Sequence, residues 1–120
     1  MRARLGSTTL GLAAGLLGGA GDAMAHHGWS GYDASRLVVL TGTVQEASFD
    51  YPHGLVLLQV DGRLWRVVLA PPSRLERRGL PAGSIAAGAE VTVEGYPHRI
   101  DQEEFRAERI SIDGRTVELR

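Results

Sequence analysis

The chain has 120 residues, with 13 basic and 14 acidic side chains, a formal charge of −1, four histidines and no cysteine. That length accommodates one modest hydrophobic core and no second domain, and the lack of cysteine excludes disulfides and thiolate metal sites. The near-neutral charge argues against a nucleic-acid partner and against an anionic membrane surface, since both select clustered positive charge.

The first 25 residues read as an export signal, not as part of a fold. Met1-Arg2-Ala3-Arg4 is cationic, Thr8 to Ala20 is an uncharged run rich in Leu, Ala and Gly, and Ala23-Met24-Ala25 supplies the small residues that a signal peptidase reads. The run is too short for a spanning helix, which needs about 20 apolar residues. Cleavage after Ala25 is therefore expected to release a periplasmic chain that starts at His26 and has no membrane span. Residues 26–36 then form an N-terminal segment and residues 37–120 the folded domain.

That domain reads as strands. From Leu37 to Phe49, Val38, Leu40, Gly42 and Val44 alternate with Val39, Thr41, Thr43 and Gln45, and the pattern resumes one residue out of phase at Ala47. An interior Gly and a phase slip are the marks of a bulged, sharply curved barrel strand. Leu55 to Val60 and Arg63 to Leu69 flank Asp61-Gly62, a two-residue hairpin signal that sets Leu58 opposite Trp65 and Val56 opposite Val67 on a buried face. Pro71-Pro72 stops the third strand. Ser73 to Glu76 has the spacing of a capping box, and Gly79 is a candidate residue just past the helix end, so one short helix is expected over Ser73 to Arg78. Val91, Val93 and Gly95 mark a fourth strand. Phe105 and Ala107, then Ile110 and Ile112 after another slip, mark a fifth, and Asp113-Gly114 turns into a short terminal strand at Val117 and Leu119. Three meandering strands, a helix, two more strands and an extension give an all-β fold, a small five- to six-stranded OB-like Greek-key barrel. An antiparallel sandwich of similar strand count competes with it. The helix after strand three favours the barrel.

All four histidines fall outside the expected strands. His26 and His27 begin the released chain, His53 lies between strands one and two, and His98 lies between strands four and five. The last two sit in a shared tripeptide, Tyr51-Pro52-His53 and Tyr96-Pro97-His98, and an OB-like barrel is expected to bring their loops to one end. Imidazole suits copper, zinc and nickel, with Cu(II) first in the divalent affinity series. An N-terminal His26 adds its α-amino group, a chelating pair similar to a histidine brace. His26, His27, His53 and His98 are thus the candidate metal ligands, with copper as the candidate cofactor. The competing reading makes them an exposed terminus and backbone-bonded loop residues. Asp101-Gln102-Glu103-Glu104 reads as a solvated loop, and Trp29, Tyr32, Tyr51 and Tyr96 read as packing. No nucleophile with a base, no phosphate loop and no isolated carboxylate pair stands out, so no enzyme is expected.

The run His26-His27-Gly28-Trp29-Ser30-Gly31-Tyr32-Asp33 is similar to the start of the mature chain in an exported bacterial family catalogued as domain of unknown function 6152. The resemblance extends through Leu40-Thr41-Gly42-Thr43-Val44, Pro52-His53, Ala70-Pro71-Pro72-Ser73-Arg74, Arg78-Gly79-Leu80, Val91 to His98 and Arg106 to Ile110, nearly the whole released chain. The family pattern has Asn-Pro-His where this chain has Tyr51-Pro52-His53. The resemblance implies export and a small β domain, and no settled activity. Two functional classes follow: a periplasmic metal-binding protein using the four histidines, or an OB-type adaptor that binds a protein partner through its loops without metal.

Overall fold

Alternating aliphatic and polar residues produce six strands and one helix within residues 28–120, the part of the chain that the computed structural model describes. The expected signal segment lies outside the described residues, as do His26 and His27. Residues Trp29–Gly31 form a short 3-10 turn. The remaining elements are β1 (Val38–Ser48), β2 (Leu55–Val60), β3 (Arg63–Val68), α1 (Pro72–Arg77), β4 (Glu90–Pro97), β5 (Glu104–Ile112) and β6 (Arg115–Glu118).

Pairing closes the sheet on itself. β1 is antiparallel to both β2 and β4, β2 to β3, and β4 to β5, while β5 runs parallel to β3. The circuit β1-β2-β3-β5-β4-β1, with a helix between β3 and β4, is that of the OB-type Greek-key barrel rather than of a sandwich. One edge of β5 is shared: Glu104 to Arg106 face Arg66 to Val68 of β3, and Arg109 to Ile112 face Arg115 to Glu118 of β6.

Both phase slips in the sequence are bulges. β1 shifts register between Val44 and Glu46 against β2, and β4 shifts between Glu94 and Gly95, opposite Arg109 and Ala107 of β5. Between them β1 curves over β2, and Gly42 makes this close approach feasible, since a Cβ there would overlap the Gln59 carbonyl oxygen and lie 2.8 Å from Val60 Cγ2. The two Asp-Gly turns have positive φ at both residues, 47° and 79° at Asp61-Gly62 and 51° and 78° at Asp113-Gly114, as tight hairpins demand. The first sets Leu58 against Trp65 and Val56 against Val67, the expected register. Val56, Leu58, Val67, Val93, Phe105 and Ile110 are wholly buried inside the barrel.

The helix departs from the expected capping box. It starts one residue earlier, at Pro72, with Pro71 at the N-cap and no side-chain cap, so Ser73 lies inside the first turn. Proline explains this: at the first helical position it has no N–H to satisfy, and its φ is already helical. The C-terminal end is as expected from Gly79, which has φ 95°. The Leu80 N–H reaches the Leu75 carbonyl (2.8 Å) and the Gly79 N–H the Glu76 carbonyl (3.1 Å), a Schellman pair. Its apolar clasp, Leu75 with Leu80, is fully buried and belongs to the core cluster of the barrel. On its polar side Arg74 donates to the Leu119 carbonyl (3.3 Å), and Arg78 to those of Glu118 and Arg120 (3.0 Å each), just along β6.

Candidate functional site

The β4–β5 connection is built around His98. Contrary to the sequence expectation, Tyr96 and Pro97 belong to β4, and His98 is bridged antiparallel to Tyr32 rather than lying in an open loop. Pro97 sits at the strand end, where its missing N–H removes no ladder bond that the Tyr32 segment needs. Its carbonyl instead accepts from the Asp33 N–H at 2.9 Å. The Tyr32 ring meets the His98 ring edge-on, with centroids 5.1 Å apart.

His98 then holds its own loop. Its Nδ1 accepts the N–H groups of Ile100 (3.1 Å) and Asp101 (3.0 Å). A ring nitrogen that accepts two such bonds carries no proton, so in the neutral ring Nε2 bears the hydrogen and acts as a donor. Binding a metal at Nε2 would require a protonated Nδ1 aimed at those same two N–H groups. Replacing His98 with Ala is expected to remove about 1–2 kcal/mol of stability and to accelerate hydrogen exchange at Ile100 and Asp101. Wild-type exchange rates at those two amides would show that the ring does not hold the loop.

In the acidic run after His98, two carboxylates are engaged within the fold while Glu103 is exposed. Asp101 pairs with Arg66, and Glu104 accepts from the Tyr32 hydroxyl and lies 3.4 Å from Arg66. The Glu103 N–H, donated at 3.0 Å, and then the Arg66 charge hold the Asp101 carboxyl below the usual carboxylate range. Burial and the Glu104 bond push the Tyr32 phenol well above its ordinary value.

His53 lies elsewhere. It precedes Gly54, whose N–H donates to the Ala70 carbonyl (2.9 Å) and whose carbonyl accepts from Leu69 (2.8 Å), at the β3 end that leads into α1. Register places their neighbours along β3. Leu55, two residues after His53, pairs with Val68 at the last position of β3, whereas His98 shares a cleft with Arg63 and Trp65 at its beginning. The two histidines thus have different surroundings, His53 beside the Gly54–Ala70 contact and His98 in the cleft with Arg63 and Trp65. Among the described residues no three His, Asp or Glu side chains gather as metal ligands would.

What does gather is cationic and aromatic. A cleft of about 310 Å³ opens between β3 and the β4–β5 loop, lined by Arg36, Arg63, Trp65, His98, Arg99 and Gln102. The Arg63 guanidinium lies 3.9 Å from the Trp65 ring centroid and donates to the Gln102 carbonyl, so it is clamped between strand and loop. Beneath it Trp65 meets Phe105 edge-on at 5.9 Å. Sequence reasoning passes over this group. Arg63 and Trp65, two apart on one strand, share a face, and that spacing is the available signal. Of the four aromatics read as packing, Tyr32 is buried and Tyr96 donates to Glu108 (3.1 Å), but Tyr51 is 87% exposed.

Comparison with known proteins supports the fold and leaves the chemistry open. A family model described as a family of unknown function (DUF6152) matches residues 13–105. No curated protein matches the sequence. Among solved structures, a complex of TiaS with tRNA and ATP superposes with a TM-score of 0.51 at 20% identity, covering 73% of this chain and 19% of that one. A complex of TiaS with tRNA, AMPCPP and agmatine gives 0.51 at 18% identity over 67% of this chain and 19% of that one. A ZRD-deleted TiaS mutant with agmatine gives 0.50 at 19% identity over 73% of this chain and 25% of that one. The chain thus spans a fifth to a quarter of the length of these proteins, and the likeness is one of fold.

Proposed function

The chain belongs to the DUF6152 family, and we propose that it is an exported, non-catalytic OB-type binding domain that holds its partner at the rim formed by β3 and the β4–β5 loop. The observation that carries this is the clamped pair of Arg63 and Trp65 beside His98, on the side of the barrel where OB folds present their ligand loops. Trp and Arg are the residue types that dominate binding energy at interfaces. The partner is a periplasmic protein or a small molecule rather than a nucleic acid, in keeping with a formal charge of −1.

Copper, the metal expected from the histidines, has its place in this proposal at the terminus and not at the rim. The bonds that His98 Nδ1 accepts from Ile100 and Asp101 favour that assignment. A cut after Ala25 would give His26 an α-amino group beside its imidazole, and His27 would follow it. Paramagnetic resonance of Cu(II)-titrated protein from the periplasm, its mass first checked against a start at His26, tests both parts. The expected result is unaltered binding in His53→Ala and His98→Ala, and loss when His26 and His27 are both replaced with Ala. Loss in either loop variant would move the metal to the loop histidines and overturn the reading.

A further inference from the structure

We propose that the cleft between β3 and the β4–β5 loop is a carboxylate-binding site, which takes an organic anion whose flat or apolar body rests against Trp65. The proposal rests on the assignment of this rim as the binding face and gives that face a ligand class.

Charge is the first ground. Arg36, Arg63 and Arg99 all line the cleft, in a chain whose formal charge is −1. Two acids of the neighbouring loop are already engaged, Asp101 by Arg66 and Glu104 by Tyr32 and Arg66, and the third, Glu103, is exposed and does not line the cleft. Asp33 is the carboxylate electrostatically coupled to Arg36 and Arg99, and it is held by the Ser35 N–H (3.1 Å) and hydroxyl (2.6 Å). The lining itself holds three guanidiniums and no carboxylate, with Asp33 beside two of them, so the cleft is positive and favours an anion.

Preorganisation is the second ground. The ring of Trp65 and the carbonyl of Gln102 fix the Arg63 guanidinium, so little side-chain freedom is lost when a carboxylate meets its planar fork. The cleft, at about 310 Å³, has the size of a small-molecule site, or of one that takes a single side chain of a partner. Its walls include Trp65 and Pro97, which suit an apolar body.

A phosphate fits less well. Phosphate sites draw on clustered backbone N–H groups, and in this loop the N–H groups of Ile100 and Asp101 point to His98 Nδ1. What remains is side-chain guanidinium beside an aromatic wall. That combination matches a carboxylate joined to a flat or apolar group.

The carboxylate could come from a free organic acid or from an acidic segment of a partner protein, and two probes separate these sources. ¹⁵N-labelled protein is titrated at low salt with sodium benzoate and with N-acetyl-Glu-Phe-Glu-amide, following the Trp65 indole N–H and the Gln102 amide. Saturable shifts are expected with at least one of them. Saturation by benzoate alone points to a free acid, and tighter binding of the peptide points to a protein segment. Kd should rise at least about tenfold in Arg63→Ala, the loss of one charged hydrogen bond, and by a smaller factor in Arg63→Lys. Arg99→Ala should also weaken binding, while Arg77→Ala on α1 should leave it unchanged. Each variant is accepted only if its spectrum superposes on that of the parent away from the cleft. Equal shifts with benzylamine or benzyl alcohol would overturn the carboxylate assignment and leave the rim as a binding face. An absence of shifts at the cleft with every probe would overturn both.

Discussion

Gly42→Ala is expected to destabilise the barrel by at least about 3 kcal/mol, the upper range for overpacking. Two effects oppose one another. Alanine would stiffen the unfolded chain and so stabilise the fold by about 0.4–1 kcal/mol. In the folded state, however, its Cβ would overlap the Gln59 carbonyl oxygen and come within 2.8 Å of Val60 Cγ2 and 2.9 Å of the Gln59 carbonyl carbon. Backbone atoms of a paired strand cannot move aside as a flexible side chain can. Gly42 also pairs with Val91 on the other side of β1, so moving it away from β2 disturbs the β1–β4 ladder. The clash wins. Urea unfolding measures the difference, and a midpoint equal to that of the parent would mean that β1 does not need this close approach.

Phe105→Ala should cost about 3–5 kcal/mol, the usual range for a deleted core aromatic. Phe105 is wholly buried and stands where β5 pairs with Pro97 of β4 on one side and with Val67 of β3 on the other. Its ring also supports Trp65 edge-on. Removing it leaves a cavity at the parallel closure and under the wall of the cleft, so stability and the Trp65 environment should change together. Phe105→Leu, which retains much of the volume, should lose considerably less. A stable Phe105→Ala protein with unaltered tryptophan fluorescence would show that the closure does not depend on this ring.

Much of the barrel can be read from the chain because its determinants are local. Asp61-Gly62 and Asp113-Gly114 each fix a hairpin within two residues, and the phase slips after Val44 and Ala107 are visible as broken alternation. The helix start is misread because Ser73 and Glu76 match a capping box, while Pro72 one residue earlier already supplies a helical φ. The repeated Tyr-Pro-His misleads for a related reason. One copy lies in the β1–β2 loop, and the other ends β4, where Tyr32, far away in sequence, lies along His98. No local pattern encodes that bridge. The cleft depends on it, because Arg36 and Arg99 meet Arg63 and Trp65 only once Tyr32 and His98 are side by side.

Arg74 of α1 and Arg78 at its C-terminal end have a consequence for how the molecules coexist at high concentration. A strand with a bare flank is a template onto which a strand of another molecule can add, the first step of fibrillar assembly. On the outer flank of β6 and the residues after it, the carbonyls of Glu118 and Arg120 would be the acceptors for such a newcomer. Arg78 already donates to both, and Arg74 reaches the Leu119 carbonyl between them. An incoming chain would have to displace these bonds and approach a row of guanidinium charge. The C-terminal arm is thus sealed by side chains where the barrel does not seal it by closure, and crowding alone gives it no ready route into a shared sheet.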